Sequence, residues 1–235
     1  MFDPYIIKHG FSDLDFFVAT QQAADWYDPP KDYVLLEYGW VTANIDIKNK
    51  RVIDGGCHHG HYAVVLDRQH PKRLELVDIH ESNLDVCEVN MLLNVSPELG
   101  RWVHGALWKE TGKVNYDGRS NGALVINQQG GAGEGGIEVD AFRLKDIDPK
   151  AQVVKLDIEG AEYVVIPEAL ESMNVESWII EFHAGHNIKE APDLTAELLR
   201  EAGYELDWVN REKNVVEPYK IGTEWKTHST IFARK

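Results

Sequence analysis

The chain has 235 residues, of which 43% are hydrophobic and 27% are charged, a composition typical of one sizeable globular domain. Its formal net charge of −15 disfavours nucleic-acid partners, whose phosphates need Lys and Arg, and it also disfavours docking on anionic membranes. No run approaches the roughly 20 apolar residues of a transmembrane helix, and the N-terminus carries no signal-peptide pattern, so a cytoplasmic protein is expected.

The first 50 residues contain an aromatic and apolar cluster before Pro29 and Pro30. We predict that they form a helical lead-in that covers an edge of the sheet or the mouth of a site. Residues 51–235 are predicted to be a single domain in which strands and helices alternate. Its first half has predicted strands at Arg51–Gly55, 74–79 and 102–107, and predicted helices at 62–69 and 82–94.

Residues 108–145 interrupt this alternation with three short predicted strands, at 113–116, 123–127 and 136–142. Five of the seven residues at 130–136 are glycine, a content that cannot pack a core. This segment is predicted to be a mobile loop or hairpin tip. Both a plain connection and an active-site lid stay open.

The alternation resumes after residue 150, with predicted strands at 152–157, 178–182, 204–209 and 229–233 and predicted helices at 161–173 and 191–202. The strand at 152–157 is almost continuously apolar, which is typical of a parallel strand buried on both faces. The pattern therefore predicts an α/β fold with a doubly wound, mostly parallel sheet and an inserted β-hairpin region.

A glycine-rich loop follows the first predicted strand, and in it Asp54 precedes Gly56 and Gly60. In a dinucleotide-binding loop the glycines face a pyrophosphate, which a carboxylate at this position would repel, so a nicotinamide cofactor is disfavoured. The acid suits a cationic cofactor without phosphate, and S-adenosylmethionine, with its sulfonium and ammonium groups, fits. Asp78, at the end of the second strand, can accept hydrogen bonds from ribose hydroxyls.

The cysteines and histidines of this region have plainer interpretations. Cys57 lies in the loop and Cys87 in a predicted helix, and two thiols do not make a disulfide framework, so both are expected to be free in a reducing compartment. Adjacent loop histidines point in different directions and rarely chelate one ion, so no metal is predicted at His58, His59 and His61.

Polar residues also stand at the ends of the later strands. Lys155, Asp157 and Glu159 alternate along a strand, so their side chains should point to one side. Glu181 and His183 share a face in the same way, and the carboxyl ends of parallel strands meet at one rim. His183 beside an acid is a candidate general base, because the pKa of histidine lies near neutrality.

Over about residues 51–185 these motifs together resemble the FkbM family of S-adenosylmethionine-dependent methyltransferases. The family's D-x-G-A-N-x-G-x-Y loop corresponds to Asp54, Gly56, Gly60 and Tyr62. Its K-x-D-x-E-G-x-E motif corresponds to Lys155, Asp157, Glu159, Gly160 and Glu162. Its late E-x-H motif corresponds to Glu181 and His183. Its second-strand E-P corresponds to Asp78 and Ile79, and Ala106 and Asp140 also match. His58 stands in place of the family's Asn, and Ile79 in place of its Pro.

The resemblance implies a Rossmann-like class I methyltransferase fold and methyl transfer to a hydroxyl of a small molecule or sugar. The expected cofactor-binding residues are Asp54, Gly55, Gly56, Cys57, His58, Gly60, Tyr62, Asp78, Ile79, Ala106 and Leu107. The expected catalytic residues are Asp157, His183, Glu159, Lys155 and Glu181, with His183 or Asp157 as the base.

Two further functions stay open. Asp157, Glu181 and His183 could ligate Mg²⁺, which would acidify a substrate hydroxyl, as in metal-assisted O-methyltransferases. Alternatively, the chain could bind S-adenosylmethionine as a partner or regulatory protein without turnover.

Overall fold

The computed structural model describes residues 5–8, 15–18, 43–95, 100–118, 125–126, 136–183, 191–210, 215–220 and 229–235. Its strands are β1 (Tyr5–Lys8), β2 (Asp15–Val18), β3 (Arg51–Gly55), β4 (Arg73–Asp78), β5 (Gly100–His104), β6 (Ala106–Leu107), β7 (Gly112–Tyr116), β8 (Val125–Ile126), β9 (Ile137–Phe142), β10 (Val153–Leu156), β11 (Ser177–Phe182), β12 (Glu205–Asn210), β13 (Val215–Pro218) and β14 (Ser229–Arg234). Its helices are α1 (His61–Asp67), α2 (Glu81–Asn94), α3 (Leu144–Ile147), α4 (Glu162–Ser172) and α5 (Ala191–Glu201).

The main sheet has eight strands in the order β13-β12-β14-β11-β10-β3-β4-β5. The five strands from β11 to β5 run parallel, and β14 runs antiparallel to both of its neighbours. The predicted doubly wound, mostly parallel α/β sheet is therefore confirmed. Strands β3, β10 and β11 lie side by side in its centre, so the residues that follow them meet at one rim.

Helices cover both faces of this sheet because its central strands are apolar on both sides. One face packs Ile53 and Leu156 under helices α4 and α5, through Val165 and Leu199 among others. The opposite face belongs to a second core cluster, which includes Val52, Val153, Ile179, Val64 and Met91 and lies under helices α1 and α2. Burial on both faces explains why these strands read as continuous apolar runs.

A second, four-stranded sheet in the order β6-β9-β7-β8 forms the inserted region. The sequence predicted one strand over 102–107, and this is wrong, because the chain divides at Gly105 into β5 of the main sheet and β6 of the small one. A Cβ at Gly105 would lie 2.6 Å from the ring of Phe142, so only glycine allows the small sheet to approach here. Of the predicted glycine-rich loop at 130–136, residues 130–135 lie outside the described residues.

Of the helical lead-in predicted for the first 50 residues, the structure describes residues 43–44 as helical and residues 5–8 and 15–18 as strands. Strands β1 and β2 form an antiparallel hairpin, and β2 lies beside helix α2. Residues 43–50 join the main domain, since Ile45 and Ile47 are buried in its core and the Asn49 amide donates to the carbonyl of His70 (2.9 Å). Among the described residues, no helix has the length and apolar character needed to cross a bilayer.

Candidate active site

The glycine loop after β3 is held against two neighbouring strands. The Gly56 and Cys57 amides donate to the Val77 carbonyl at 2.8 and 3.1 Å. Gly56 has a φ of 71°, and a Cβ there would lie 1.8 Å from the carbonyl oxygen of Asp157. Glycine at this position lets the loop lie directly on the end of β10, which brings the expected cofactor residues beside the expected catalytic ones.

Asp78, at the end of β4, orders this loop from the other side. Its carboxylate accepts hydrogen bonds from the amides of His58 (2.9 Å) and His80 (2.9 Å) and from the side-chain amide of Asn83 (3.0 Å). A carboxylate has about four acceptor positions, so three are engaged within the protein and one stays available to a ligand. Asp78 thus shapes the loop as well as standing where a ribose could be bound.

The loop's far end is packed by helix α2. A Cβ at Gly60, whose φ is 81°, would lie 2.7 Å from the Cys87 sulfur. Cys57 and Cys87 are both buried free thiols, as the sequence predicted. Burial, followed by a hydrogen bond with Cys87, raises the pKa of Cys57 well above its usual value, so this thiol acts as a packing residue rather than a nucleophile.

Contacts within the protein order two of the loop histidines, His58 and His59. His58 and His59 stack with their ring centroids 3.9 Å apart, and the Asn90 side chain donates to the His59 carbonyl at 2.6 Å. Burial, followed by the nearby charge of His58, lowers the pKa of His59 to about 3, so its ring is neutral at physiological pH. Neither feature points to a metal.

The remaining expected cofactor residues border the loop. Ile79 packs with Ala106 in the core of the small sheet. Leu107 contacts the backbone of Gly55, where a Cβ would lie 2.4 Å from its Cδ1. The ring of Tyr62 lies 5.2 Å from the ammonium of Lys155. These residues therefore link the glycine loop, the small sheet and β10.

Lys155 and Asp54 form a buried ion pair beneath the loop. The Lys155 ammonium lies 3.0 Å from Asp54 and donates to the Gly56 carbonyl at 2.9 Å. Burial lowers the pKa of Lys155, but the charges of Asp54 and Asp157 outweigh it and raise that pKa above its ordinary value. Burial raises the pKa of Asp54, whereas Lys155 lowers it. The short contact and the carbonyl bonds favour the charged pair, so Lys155 neutralises Asp54 and ties β3 to β10.

The residues that end β10 and β11 converge as predicted. His183 Nε2 lies 3.5 Å from Asp157 Oδ1 and 3.5 Å from Glu159 Oε2. Asp157 Oδ2 lies 3.8 Å from the Lys155 ammonium. Asp157 and Glu159 keep 33% and 29% of their side chains exposed, whereas His183 is almost fully buried. The rim is therefore open to a ligand on its carboxylate side.

Glu162 is the site residue that the sequence did not single out. Its carboxylate is fully buried and accepts hydrogen bonds from the amides of Ile158 (2.8 Å) and Gly160 (2.7 Å). It also lies 3.3 Å from His183 Nδ1, so it fixes the orientation of that ring and directs Nε2 at Asp157 and Glu159. The K-x-D-x-E-G-x-E motif contained this residue, but the sequence assigned it no role in the site.

The electrostatics correct the role expected for His183. Burial lowers the pKa of His183, but the hydrogen bond and charge of Glu162, with Asp157 and Glu159, raise it to about 10. A raised pKa favours the protonated ring at neutral pH, and a protonated ring is a poor base. Burial and the charge of Glu181 raise the pKa of Asp157 to about 7, against the lowering effect of Lys155 and His183. Asp157 is therefore the better candidate base.

Glu181 contributes charge to this rim. In the described residues, the ligand atoms that lie within 4.8 Å of one another belong to Asp157, Glu159 and His183. The sequence offered Asp157, Glu181 and His183 as metal ligands, whereas the structure groups Asp157 and His183 with Glu159.

Comparisons with known proteins agree with this geometry. The family model for the methyltransferase FkbM domain matches residues 53–206, more than half of the chain. No curated protein matches.

Solved structures show the same fold. The chain is similar to the putative transferase PH0793 from Pyrococcus horikoshii, with a TM-score of 0.56 and 12% identity over 98% of this chain and 71% of that one. It is similar to M. jannaschii TYW2 in complex with AdoMet, with a TM-score of 0.52 and 14% identity over 98% and 85% of the two chains. It is also similar to methyltransferase FkbM from Methylobacillus flagellatus KT, with a TM-score of 0.51 and 11% identity over 82% of this chain and 45% of that one. The fold is the Rossmann-like fold of class I methyltransferases.

Proposed function

This chain belongs to the FkbM methyltransferase family and is a methyltransferase, and we propose that it transfers the methyl group of S-adenosylmethionine to a hydroxyl of a small molecule or sugar. The observation that carries the proposal is the contact between two parts of the site. The glycine loop at Gly56 lies directly on Asp157, the carboxylate best placed to take a proton. A cofactor on the loop and an acceptor at the rim would therefore be neighbours.

The residues around the loop fit this cofactor. Asp78 keeps an acceptor position for a ribose hydroxyl, while its other positions hold the loop. The rim carboxylates Asp157, Glu159 and Glu181 favour a group with positive charge, such as a sulfonium, over a phosphate. Asp54 is neutralised by Lys155, so its role is to anchor the loop through that pair.

The chemistry requires little of the protein beyond orientation and proton removal. When bound, the cofactor supplies a methyl group on a sulfonium leaving group. The acceptor oxygen must reach that carbon in line as its proton leaves, so that an O–C bond forms while the C–S bond breaks. Asp157 receives the hydroxyl proton. Glu162 and His183 keep Asp157 and Glu159 in position, and Lys155 limits the negative charge of the rim.

The acceptor class that we propose rests on the net charge of the chain and on the chemistry of the base. A chain with a net charge of −15 favours an uncharged or cationic small molecule over a nucleic acid. A hydroxyl needs the base that Asp157 offers, whereas a sulfur acceptor ionises closer to neutral pH and depends less on one.

The test is methyl transfer from S-adenosylmethionine labelled in its methyl group to a panel of sugars and hydroxylated metabolites. We expect a labelled product that survives mild alkali, as a methyl ether does, and formation of S-adenosylhomocysteine. Asp157→Asn should slow turnover by about 10²–10⁴-fold with nearly unchanged cofactor affinity. Glu171→Gln, an exposed change on helix α4, is the matched control and should keep full activity. Label that alkali releases would indicate a carboxyl acceptor and contradict the hydroxyl proposal.

A further inference from the structure

The cluster of Asp157, Glu159 and His183 has the geometry of a cation site. We propose that these three residues bind one divalent metal ion of the Mn²⁺ or Zn²⁺ class. Their ligand atoms all lie within 4.8 Å of one another, at the open rim where β10 and β11 end. The site itself does not depend on the cofactor, but the role that we assign to the ion rests on the proposed methyl transfer.

The distances suit a shared ion better than direct bonds. Nε2 of His183 lies 3.5 Å from an oxygen of each carboxylate, which is longer than the usual 2.7–3.2 Å of a hydrogen bond. Two ligands at about 2.1 Å from one ion, at the angles of tetrahedral or octahedral coordination, are about 3.0–3.4 Å apart. Small side-chain adjustments would therefore place all three atoms on one ion.

The surroundings of His183 resemble the outer shell of a metal site. A histidine ligand usually gives its other ring nitrogen to a carboxylate, which sets the tautomer and the ring orientation. Glu162 has that place here, 3.3 Å from Nδ1, and backbone amides hold its two oxygens. Tyr163 donates to the His183 carbonyl at 3.1 Å, so the backbone of this residue is fixed as well.

The backbone at Glu159 sets the position of its carboxylate in this cluster. Its φ of 55° places a residue other than glycine in the left-handed region. Such conformations persist where the surrounding structure holds them, and they concentrate at functional sites. Here the Glu162 carboxylate binds the amides of residues 158 and 160, on either side of Glu159, and so holds this turn. The result is that the Glu159 carboxylate faces His183 instead of solvent.

The charge balance also favours a cation. Five carboxylates, those of Asp54, Asp157, Glu159, Glu162 and Glu181, lie around two basic groups, Lys155 and His183. Lys155 is engaged by Asp54 and by loop carbonyls, so it does not fill the space between Asp157 and Glu159. One nitrogen and two oxygen ligands suit Mn²⁺ or Zn²⁺, whereas Mg²⁺ prefers oxygen alone.

An ion at this point would serve the proposed reaction. Three protein ligands leave coordination positions for the acceptor, and a hydroxyl bound to the ion loses its proton more readily. Asp157 would bind the ion through Oδ1, which faces His183. Its other oxygen, Oδ2, which lies 3.8 Å from the Lys155 ammonium, would receive the proton.

The test uses full-length protein treated with a chelator and then titrated with Mn²⁺, with free Mn²⁺ followed by electron paramagnetic resonance. We expect one site, and we expect the Glu159→Gln substitution to weaken binding at least about tenfold. Glu171→Gln removes an equal charge from the exposed end of helix α4 and should leave the affinity unchanged. In the unsubstituted protein, a spin-echo nitrogen modulation that changes on ¹⁵N-histidine labelling would show that a histidine is a ligand, and loss of that modulation in His183→Gln would identify the residue.

Several outcomes would overturn the proposal. These are no binding of Mn²⁺ or Zn²⁺ at millimolar concentration, equal affinity in Glu159→Gln, or no nitrogen modulation. Any of them would leave a protonated His183 held by three carboxylates as the better description. Calorimetry with S-adenosylhomocysteine and the methyl-transfer assay are run on the same cation-free protein. Full turnover without a cation contradicts the role assigned to the ion, and absent cation binding contradicts the site, whereas cation binding without any methyl transfer contradicts the proposed function alone.

Discussion

Asp78 accepts three hydrogen bonds from the protein while standing where a ribose hydroxyl could be bound. We expect Asp78→Asn to weaken S-adenosylhomocysteine binding by about 1–3 kcal/mol, because the charge is lost and the side-chain NH₂ that replaces one carboxylate oxygen cannot accept a hydrogen bond. Calorimetry measures the effect. Asp85→Asn, an exposed change on helix α2, is the control and should leave the affinity unchanged. Unchanged affinity in Asp78→Asn would remove this residue from the cofactor site.

His59 makes the fold sensitive to acid. Its pKa is lowered to about 3 in the folded protein from an ordinary value of 6.5, so the unfolded chain takes up a proton that the folded chain refuses. The stability due to a neutral His59 is complete above pH 6.5 and is lost as the pH falls towards 3. The slope is at most about 1.4 kcal/mol per pH unit.

Chemical denaturation at pH 7 and pH 5 tests this sensitivity. We expect His59→Gln to lose less stability between these two pH values than the unsubstituted protein. His104→Gln, at an exposed histidine on β5, should retain the full acid sensitivity. If His59→Gln shows the same loss on acidification, other groups are responsible.

At this scale the sequence proposed candidate site residues but could not predict their charge states. Asp157, Glu159 and His183 could be placed on one rim because parallel strands end together. The charge of His183 could not be predicted, because it depends on Glu162, which is 21 residues away in sequence and reaches the ring only through the turn between β10 and α4.

At the scale of elements, the glycine loop depends on one contact between backbones. We expect Gly56→Ala to abolish cofactor binding and to destabilise the fold. The added Cβ would lie 1.8 Å from the carbonyl oxygen of Asp157. This oxygen belongs to the backbone and cannot move aside as a flexible side chain could. Gly203→Ala is a matched control. It also has a positive φ (90°), but no atom lies within 4 Å of the added carbon, so only about 1–2 kcal/mol of backbone strain is expected.

Thermal melting and calorimetry of the two variants separate steric conflict from strain. Equal destabilisation in Gly56→Ala and Gly203→Ala, with cofactor binding retained in both, would show that the close approach of loop and strand is unimportant.

The elements that the sequence predicted well are those with buried apolar runs. Strand β3 has the predicted bounds. Strand β10 is shorter than predicted by one residue at each end, and β11 begins one residue earlier than predicted. Helix α2 shows where this reasoning fails. Leu92 and Leu93 are apolar but are 59% and 56% exposed, whereas the polar residues Asn83 and Asn90 are buried. The two asparagines bind the Asp78 carboxylate and the His59 carbonyl, so tertiary hydrogen bonds set the buried face of this helix.

At the scale of the whole molecule, the inserted sheet and the main sheet meet at the site. Leu107 of β6 packs on Gly55 of β3, and Gly105 allows Phe142 of β9 to approach β5. The alternation of strands and helices was enough to predict the main sheet. The hairpin of β1 and β2 could not be predicted, since its residues carry no clear period and its position beside α2 depends on tertiary contacts.

Cofactor binding should stabilise the whole domain, because the loop, β4 and β10 belong to one cooperative core. At a free ligand concentration of 100 times Kd, the free energy of unfolding rises by about 2.7 kcal/mol, which for a chain of this size raises Tm by several degrees. We expect this shift in thermal melting with S-adenosylmethionine or S-adenosylhomocysteine. NADH at the same concentration should leave Tm unchanged, since the rim carboxylates repel its phosphates. The Asp78→Asn variant should show a smaller shift with either methionine cofactor, which separates binding at the loop from nonspecific stabilisation. A shift with NADH and none with S-adenosylmethionine would contradict the assigned cofactor, and the charge argument from the rim carboxylates would fail with it.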